Sequence, residues 1–448
     1  MADEQQAEKP YASPDVDRNH SSWLTRILGV DPEVERSFFW AASWFFTVLG
    51  GYYIVRPVRE TVGSMEGASR LPYYFTAVFL TMLVAVPLYS QLVTRFRRKA
   101  LVPLVYRFLA FNLVAFSLLM RLPGTFFAEW IAPVFFVWVA VYVLFATSLF
   151  WSVQADVFSR ERAKTLFGAI AGCGTAGSLC ASFAVGVTAE YVGPANLLLI
   201  AACLMEMGLF CFRRLDISNA VASQTDDLRK TSILAGFVRV IRDPYLRSIM
   251  LYTFATTVCG TYLYLTQADM LNAAWPDAAQ RTQAFARIDF GAQAVTILCQ
   301  FLIASRLMKL SLTLTLCVLP AIYLASVGSL AVAPGLYVLI AAMVFSRGTT
   351  YGLAVPAVSV LYTVVSRSDK YKAKNVIDTL VIRGADVAAN WTITWLQGMA
   401  MVLTTLSALM IPVAATGLGL GMLLGYRNKQ AKGTTVSPVS QRDTVEPA

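Results

Sequence analysis

The sequence has a single histidine, His20, among 448 residues, and only 14% of it is Asp, Glu, Lys or Arg. A soluble domain carries about 25% charged residues, so water is not the main solvent of this chain. Because His20 lies in a polar N-terminal stretch, a histidine metal site or a histidine proton relay in the apolar part is excluded. Any proton coupling there has to use carboxylates. No C-x-x-C pair is present, and all seven cysteines (Cys173, Cys180, Cys203, Cys211, Cys259, Cys299, Cys317) stand in apolar stretches, where they read as small hydrophobes. No metal and no cofactor is expected. A Gly-x-Ser-x-Gly nucleophile elbow is missing. No Gly-Lys-Ser or Gly-Lys-Thr follows the glycine-rich run around Gly172, so that run is not a phosphate loop. The polar first 36 residues lack the short apolar core of a cleavable signal.

What is present is hydrophobic: 57% of residues are apolar and the mean hydropathy is +0.58. A bilayer core needs about 20 mainly apolar residues per helical span. Such runs follow one another at 38–55, 71–93, 100–120, 126–151, 166–188, 193–212, 245–267, 284–307, 311–331, 335–362, 377–399 and 403–425. The expected class is an all-α membrane protein of twelve transmembrane helices. Its net charge of +10 sits in short loops after the even-numbered spans: Arg95, Arg97, Arg98 and Lys99; Arg160, Arg162 and Lys164; Arg213, Arg214, Arg229 and Lys230; Arg306 and Lys309; Arg367, Lys370, Lys372 and Lys374. Basic loops stay in the cytosol, which accounts for this charge without nucleic acid. It predicts an inner-membrane, multi-pass chain with both termini cytosolic.

The longest internal polar stretch, 213–231, divides the chain into near-equal halves. The predicted organisation is an N-terminal tail (1–36), a six-helix bundle (37–212), a cytosolic linker (213–232), a second six-helix bundle (233–425) and a C-terminal tail (426–448). Two six-helix bundles with a site between them near mid-membrane are the layout of the major facilitator fold.

Ionisable residues at membrane depth are costly, about 3 kcal/mol each on insertion scales, and persist where a wet cavity or a partner takes them. Arg56 and Arg59, three apart, share a face if the first helix continues through them; otherwise they anchor at the interface. Arg347 lies too deep in its span to snorkel, so it meets a ligand or a structural acid such as Asp289. Arg383 and Asp386, also three apart, form either a self-contained bridge or a coupling pair. Arg107 reads as an interfacial anchor or a ligand contact. Asp156, where the fourth span meets the cytosol, reads as an inner gate or a loop anchor, and Glu206 as a proton carrier or a packing residue. The candidate substrate-binding set is Arg56, Arg59, Arg347 and Arg383. The candidate coupling or gating set is Asp156, Glu206, Asp289 and Asp386.

Two segments, GYYIVRPVRETVG at 51–63 and KYKAKNVIDTLVIRGAD at 370–386, resemble the nucleotide (ATP/ADP) translocases and their uncharacterised bacterial relatives. A weaker likeness lies in AKTLFGAIAGCGTAGS at 163–178. The resemblance implies a major facilitator carrier of a nucleotide-like metabolite. In it Arg59 stands where the family has a functional lysine, keeping the charge, and Asp386 stands where another functional lysine lies, reversing it.

The leading expectation is a secondary transporter of an anionic small-molecule substrate, working by alternating access. One competing reading is a proton-coupled exporter of amphipathic or neutral compounds, with protons as the coupling ion. The other is a non-transporting membrane scaffold or receptor. An enzyme is not expected.

Overall fold

In hydrocarbon a chain must satisfy its own backbone N–H and C=O groups, which leaves helices or closed barrels, and runs of this length and composition form helices. The structure, a computed structural model, describes residues 32–122, 126–158, 160–215, 233–365, 373–374 and 376–434. The predicted linker and the loop at 366–372 lie outside those residues, except for its first few positions before 216. Twelve long helices are present among the described residues. The first six are α1 (Pro32–Gly63), α2 (Leu71–Arg95), α3 (Arg98–Leu119), α4 (Ala132–Val157), α5 (Arg160–Val192) and α6 (Pro194–Arg213). A short helix, Ile233–Arg242, precedes α7 (Pro244–Ala274). Helix α8 (Ala278–Leu298) continues through Cys299–Ala304 and Ser305–Leu310, and α9 spans Leu312–Val332. Helix α10 (Leu336–Thr349) continues through Thr350–Ala354 and Val355–Leu361. Ile377–Val381 leads into α11 (Ile382–Gly398), and α12 spans Leu403–Thr434, past the expected span end at 425.

Local sequence sets the joints. The Asp243 carboxylate caps α7 by accepting from the Tyr245 and Leu246 amides at 2.9 and 3.3 Å, with Pro244 in the first turn, where its missing N–H goes unneeded. Asp277 caps α8 in the same way, 2.9 and 3.0 Å from the Ala279 and Gln280 amides. Wide π-helical turns at Phe127–Ile131 and Thr350–Ala354 come just before Pro133 and Pro356. A proline ring clashes with the carbonyl four residues back, and the looser turn gives it room.

Because the helices alternate in direction, α1 begins and α12 ends at one face of the bundle, called here the near face; α1 ends and α2 begins at the far face. Described near-face connections carry Arg95, Arg97, Arg98, Lys99, Arg213, Arg214, Arg306 and Lys309. Helix α1 is the most embedded of the N-terminal set, packed on α4, α5, α6 and α8. Its approach to α5 requires Gly177, since a Cβ there would overlap the Phe46 backbone. The halves meet through α1 and α5 against α8 and through α2 against α11. Helix α3 packs on α2, α4 and α6, while α9 and α12 pack on each other.

Candidate functional site

Helix α1 carries the first charged wall. It runs beyond the expected end at 55, with Pro57 inside it, so that Arg56, Arg59 and Glu60 lie on one continuous helix. Glu60, 4% exposed, stands one turn above Arg56 and next to Arg59. Its Oε1 is 3.7 Å from Arg56 Nε and 3.3 Å from Arg59 Nη1. The Tyr264 hydroxyl of α7 donates to Glu60 Oε2, tying the two halves together. Arg59 also donates through Nε to the Phe136 carbonyl at 3.2 Å, and its guanidinium lies 3.8 Å from the Phe136 ring centroid. That contact combines a hydrogen bond with a cation–π interaction.

At the centre Asp289 of α8 is held by an arginine from each half. Arg347 of α10 approaches its Oδ1 at 2.5 Å, and Arg56 of α1 lies 3.5 Å from the same oxygen. Asp289 is 1% exposed, and its Oδ2 is buried with no hydrogen-bond partner among the described residues. Guanidinium and carboxylate prefer two parallel hydrogen bonds, so one acceptor of Asp289 remains unused among the described residues. Nearby, Arg383 Nη1 is 3.3 Å from Asp386 Oδ2, and the Thr261 hydroxyl donates to Asp386 Oδ1 at 2.9 Å.

Two cavities adjoin these groups. The larger, about 280 Å³, is bounded by α1, α2, α7, α9, α10 and α11 and is lined largely by hydroxyls and rings, among them Thr256, Tyr323, Ser346 and Thr350, with Arg56, Arg347 and Asp386 as its charges. The smaller, about 220 Å³, is lined by Arg56, Arg59, Glu60 and Arg383, with Tyr52 and Tyr53 beside them. Arg56, Tyr264 and Tyr351 border both. Counting formal charges, four arginines face three acids (Glu60, Asp289, Asp386), leaving one positive charge in excess.

All four arginines predicted as substrate contacts therefore border a cavity, and Asp289 and Asp386 accompany them. Asp156 and Glu206 do not join this group. Asp156 pairs with Arg98 at 3.0 Å where α3 begins and α4 ends. Glu206 sits on α6 beside Arg107 at 3.9 Å, with both side chains more than half exposed. Trp391 reaches across the halves to donate to Thr76 at 3.0 Å, and Trp395 is exposed.

Sequence reasoning passed over Glu60, Tyr53, Tyr264, Tyr351 and Thr261. The i,i+4 spacing of Glu60 from Arg56 was one available signal. Another was the polarity of α7: ten of the helices are long and apolar enough to cross a membrane, and α7 and α11 are not among them. Those two line the cavities, where polar side chains replace apolar ones.

No family model matches the chain, and no curated protein matches it. Solved structures do. The nucleoside transporter NupG superposes with a TM-score of 0.60 at 12% identity, over 90% of this chain and 100% of its own. An auto-inhibited POT family peptide transporter gives 0.59 at 12%, over 93% and 99%. A bacterial homologue of the human lysosomal transporter Spinster, inward-facing and unoccupied, gives 0.51 at 14%, over 91% and 99%. The chain thus has the fold of major facilitator transporters, as its twelve-span pattern predicted; at these identities the likeness covers the fold alone.

Proposed function

We propose that this chain is a secondary transporter that carries an anionic metabolite by alternating access between its two halves. The observation that carries the reading is Asp289, a buried carboxylate gripped by Arg56 from one half and Arg347 from the other, beside cavities where four arginines outnumber three acids. Asp289 occupies the place of a bound anion. A substrate carboxylate or phosphate entering the cavity competes for the same guanidinium donors, which suit such groups bidentately. Asp289 is then left as a buried charge without its arginine partners, which is costly; Asp289, with Asp386, is the coupling group in this reading. Arg59 and Arg383 extend the anion path into the smaller cavity, while the hydroxyls and rings of the larger one accept the uncharged body of the substrate. A nucleotide-like metabolite, as the 51–63 and 370–386 resemblance implies, has both parts.

Hydrogen bonds between the halves run from the centre to the far face: Tyr53 with Gln293, Thr61 with Thr282 at 2.7 Å, Ala68 with Asp269 at 2.5 Å, Gly186 with Arg287 at 3.0 Å. With the basic near face in the cytosol, this is a conformation latched on the side away from the cytosol.

Proteoliposome uptake and thermal shift with three panels, nucleotides, organic anions and neutral or peptide solutes, test the proposal. The expected result is stabilisation and uptake with an anionic panel, lost in Arg347→Gln. Equal responses to neutral solutes would remove the anion from the reading and leave the neutral exporter.

A further inference from the structure

Helices α3 and α6 form the outer face of the N-terminal half, and that face carries a charge pair in an apolar stripe. On α3, Leu104, Arg107, Phe108 and Phe111 recur at helical spacing, and all are exposed. On α6, Ile200, Cys203, Glu206, Met207 and Phe210 do the same. Arg107 Nε lies 3.9 Å from Glu206 Oε1, with the side chains 58% and 51% exposed, so the pair is loose and open to whatever surrounds the protein.

The pair is not at the membrane interface. The near-face ends of these helices are marked by Arg98 and Arg213. At 1.5 Å per residue, the nine residues from Arg98 place Arg107 about 13 Å inward, and the seven from Arg213 place Glu206 about 10 Å inward. Helical side chains lean towards the helix N-terminus. Arg107 therefore leans back towards the near face, but Glu206, on a helix of opposite direction, leans deeper and has no route to the headgroups. A lipid-facing carboxylate in that position is costly unless something polar covers it. The fold itself does not demand the pair: the outer helices of the other half, α9 and α12, contain no Asp, Glu, Lys or Arg within Leu312–Val332 or within residues 403–424.

We infer that the α3–α6 face is a self-association surface that takes a second copy of this chain. The complementarity comes from symmetry. Copies inserted in the same orientation can meet face to face only about a twofold axis along the membrane normal, which preserves depth and places α3 of one copy against α6 of the other. Arg107 and Glu206 lie side by side at similar depth, so the rotation sets each guanidinium opposite the other copy's carboxylate. The loose internal pair becomes a ring of four alternating charges, enclosed by Phe108, Phe111, Met207 and Phe210. A patch carrying both signs complements itself in this way, whereas an anionic lipid headgroup would meet Glu206 with like charge.

Charge reversal in the full-length chain tests the surface without any transported ligand. Copies labelled with donor or acceptor dyes are reconstituted in neutral lipid vesicles, and energy transfer is followed as the protein-to-lipid ratio is lowered. Wild type should show transfer that persists on dilution. Arg107→Glu alone and Glu206→Arg alone should each lose it, because each patch then carries one sign only, and mixing the two variants should restore it. Melting curves identify a variant that fails to fold, in which case Arg107→Gln and Glu206→Gln, each expected to lose most of the transfer, take its place. Wild type that is monomeric at every dilution overturns the inference, as do reversals that leave transfer unchanged or mixtures that fail to restore it. Transfer that appears only with anionic lipid overturns it in favour of a headgroup site.

Discussion

Two arginine–carboxylate pairs in this molecule have the same chemistry and opposite surroundings. Arg347 and Asp289 are 2.5 Å apart at the junction of the halves, with side chains 15% and 2% exposed. Arg107 and Glu206 are 3.9 Å apart on the outer face, both more than half exposed. In one dimension the two look alike, since each is an isolated charge inside an apolar span. What separates them is the helix face on which they fall. The central pair is enclosed by protein from both halves, so its attraction is strong and breaking it leaves a buried charge. The outer pair, at 3.9 Å, is held by neither packing nor a hydrogen bond among the described residues.

The largest effect should come from breaking the central pair. Arg347→Gln should abolish uptake and lower the melting temperature, because removing one partner of a buried pair costs about 3–5 kcal/mol. Adding Asp289→Asn should return most of the lost stability without restoring uptake, since the buried carboxylate is gone and Arg56 keeps Glu60 as its partner at 3.7 Å. Calorimetry in detergent, alongside uptake, separates these two outcomes; a double variant as unstable as Arg347→Gln would show that the pair's charges are not what matters.

A smaller effect is expected on the rim of the same cluster. Arg59→Gln and Arg383→Gln should leave the fold intact and weaken anion uptake by roughly 10- to 100-fold, the loss of one charge-assisted hydrogen bond of about 1.5–3 kcal/mol. Asp386→Asn should disturb the same step, because Asp386 holds Arg383 at 3.3 Å. Wild-type uptake in both arginine variants, at equal expression, would make these arginines structural.

Next is the far-face latch. Asp269 accepts from the Ala68 amide at 2.5 Å and from Gln397 at 3.1 Å, so Asp269→Ala removes a link between the halves worth about 1–2 kcal/mol. A cysteine placed at Thr282, which bonds to Thr61 nearby, should label several-fold faster from the far face in that background. Unchanged labelling would remove Asp269 from the latch.

The smallest effect belongs to the outer pair. Glu206→Gln should leave uptake per monomer unaltered, since Glu206 lines neither cavity. A large loss of uptake would instead return Glu206 to the coupling role that its isolation in the sequence first put forward.

Much of the site was legible one residue at a time. Arg347 could be placed inward because its depth left no other outlet, and Asp289 was the acid named as its partner. Arg383 and Asp386 were paired by helical spacing alone. Glu60 was passed over because it adjoins Arg59 at what looked like a helix end; only the continuation of α1 through Pro57 to Gly63 put it inside the cluster. The tyrosines and threonines of α7 carry no charge and so gave no depth signal, although they made that helix too polar to count as an apolar span.

By itself the sequence determined what local physics reads. Apolar runs of membrane length, basic loops after the even-numbered spans and a polar divider at mid-chain prescribe twelve helices in two sets, since hydrocarbon tolerates no unsatisfied backbone and each span length is set by the bilayer. Which charges meet was decided only by the tertiary structure. Arg56 and Arg347 are distant in sequence and reach one Asp289 oxygen only because α1, α8 and α10 converge there, and Glu206 is separated from that cluster only because α6 turns it outward. Contacts between helices depend on rotation about each helix axis, and a rotation of half a turn exchanges cavity for lipid while leaving every span, loop and charge count unchanged.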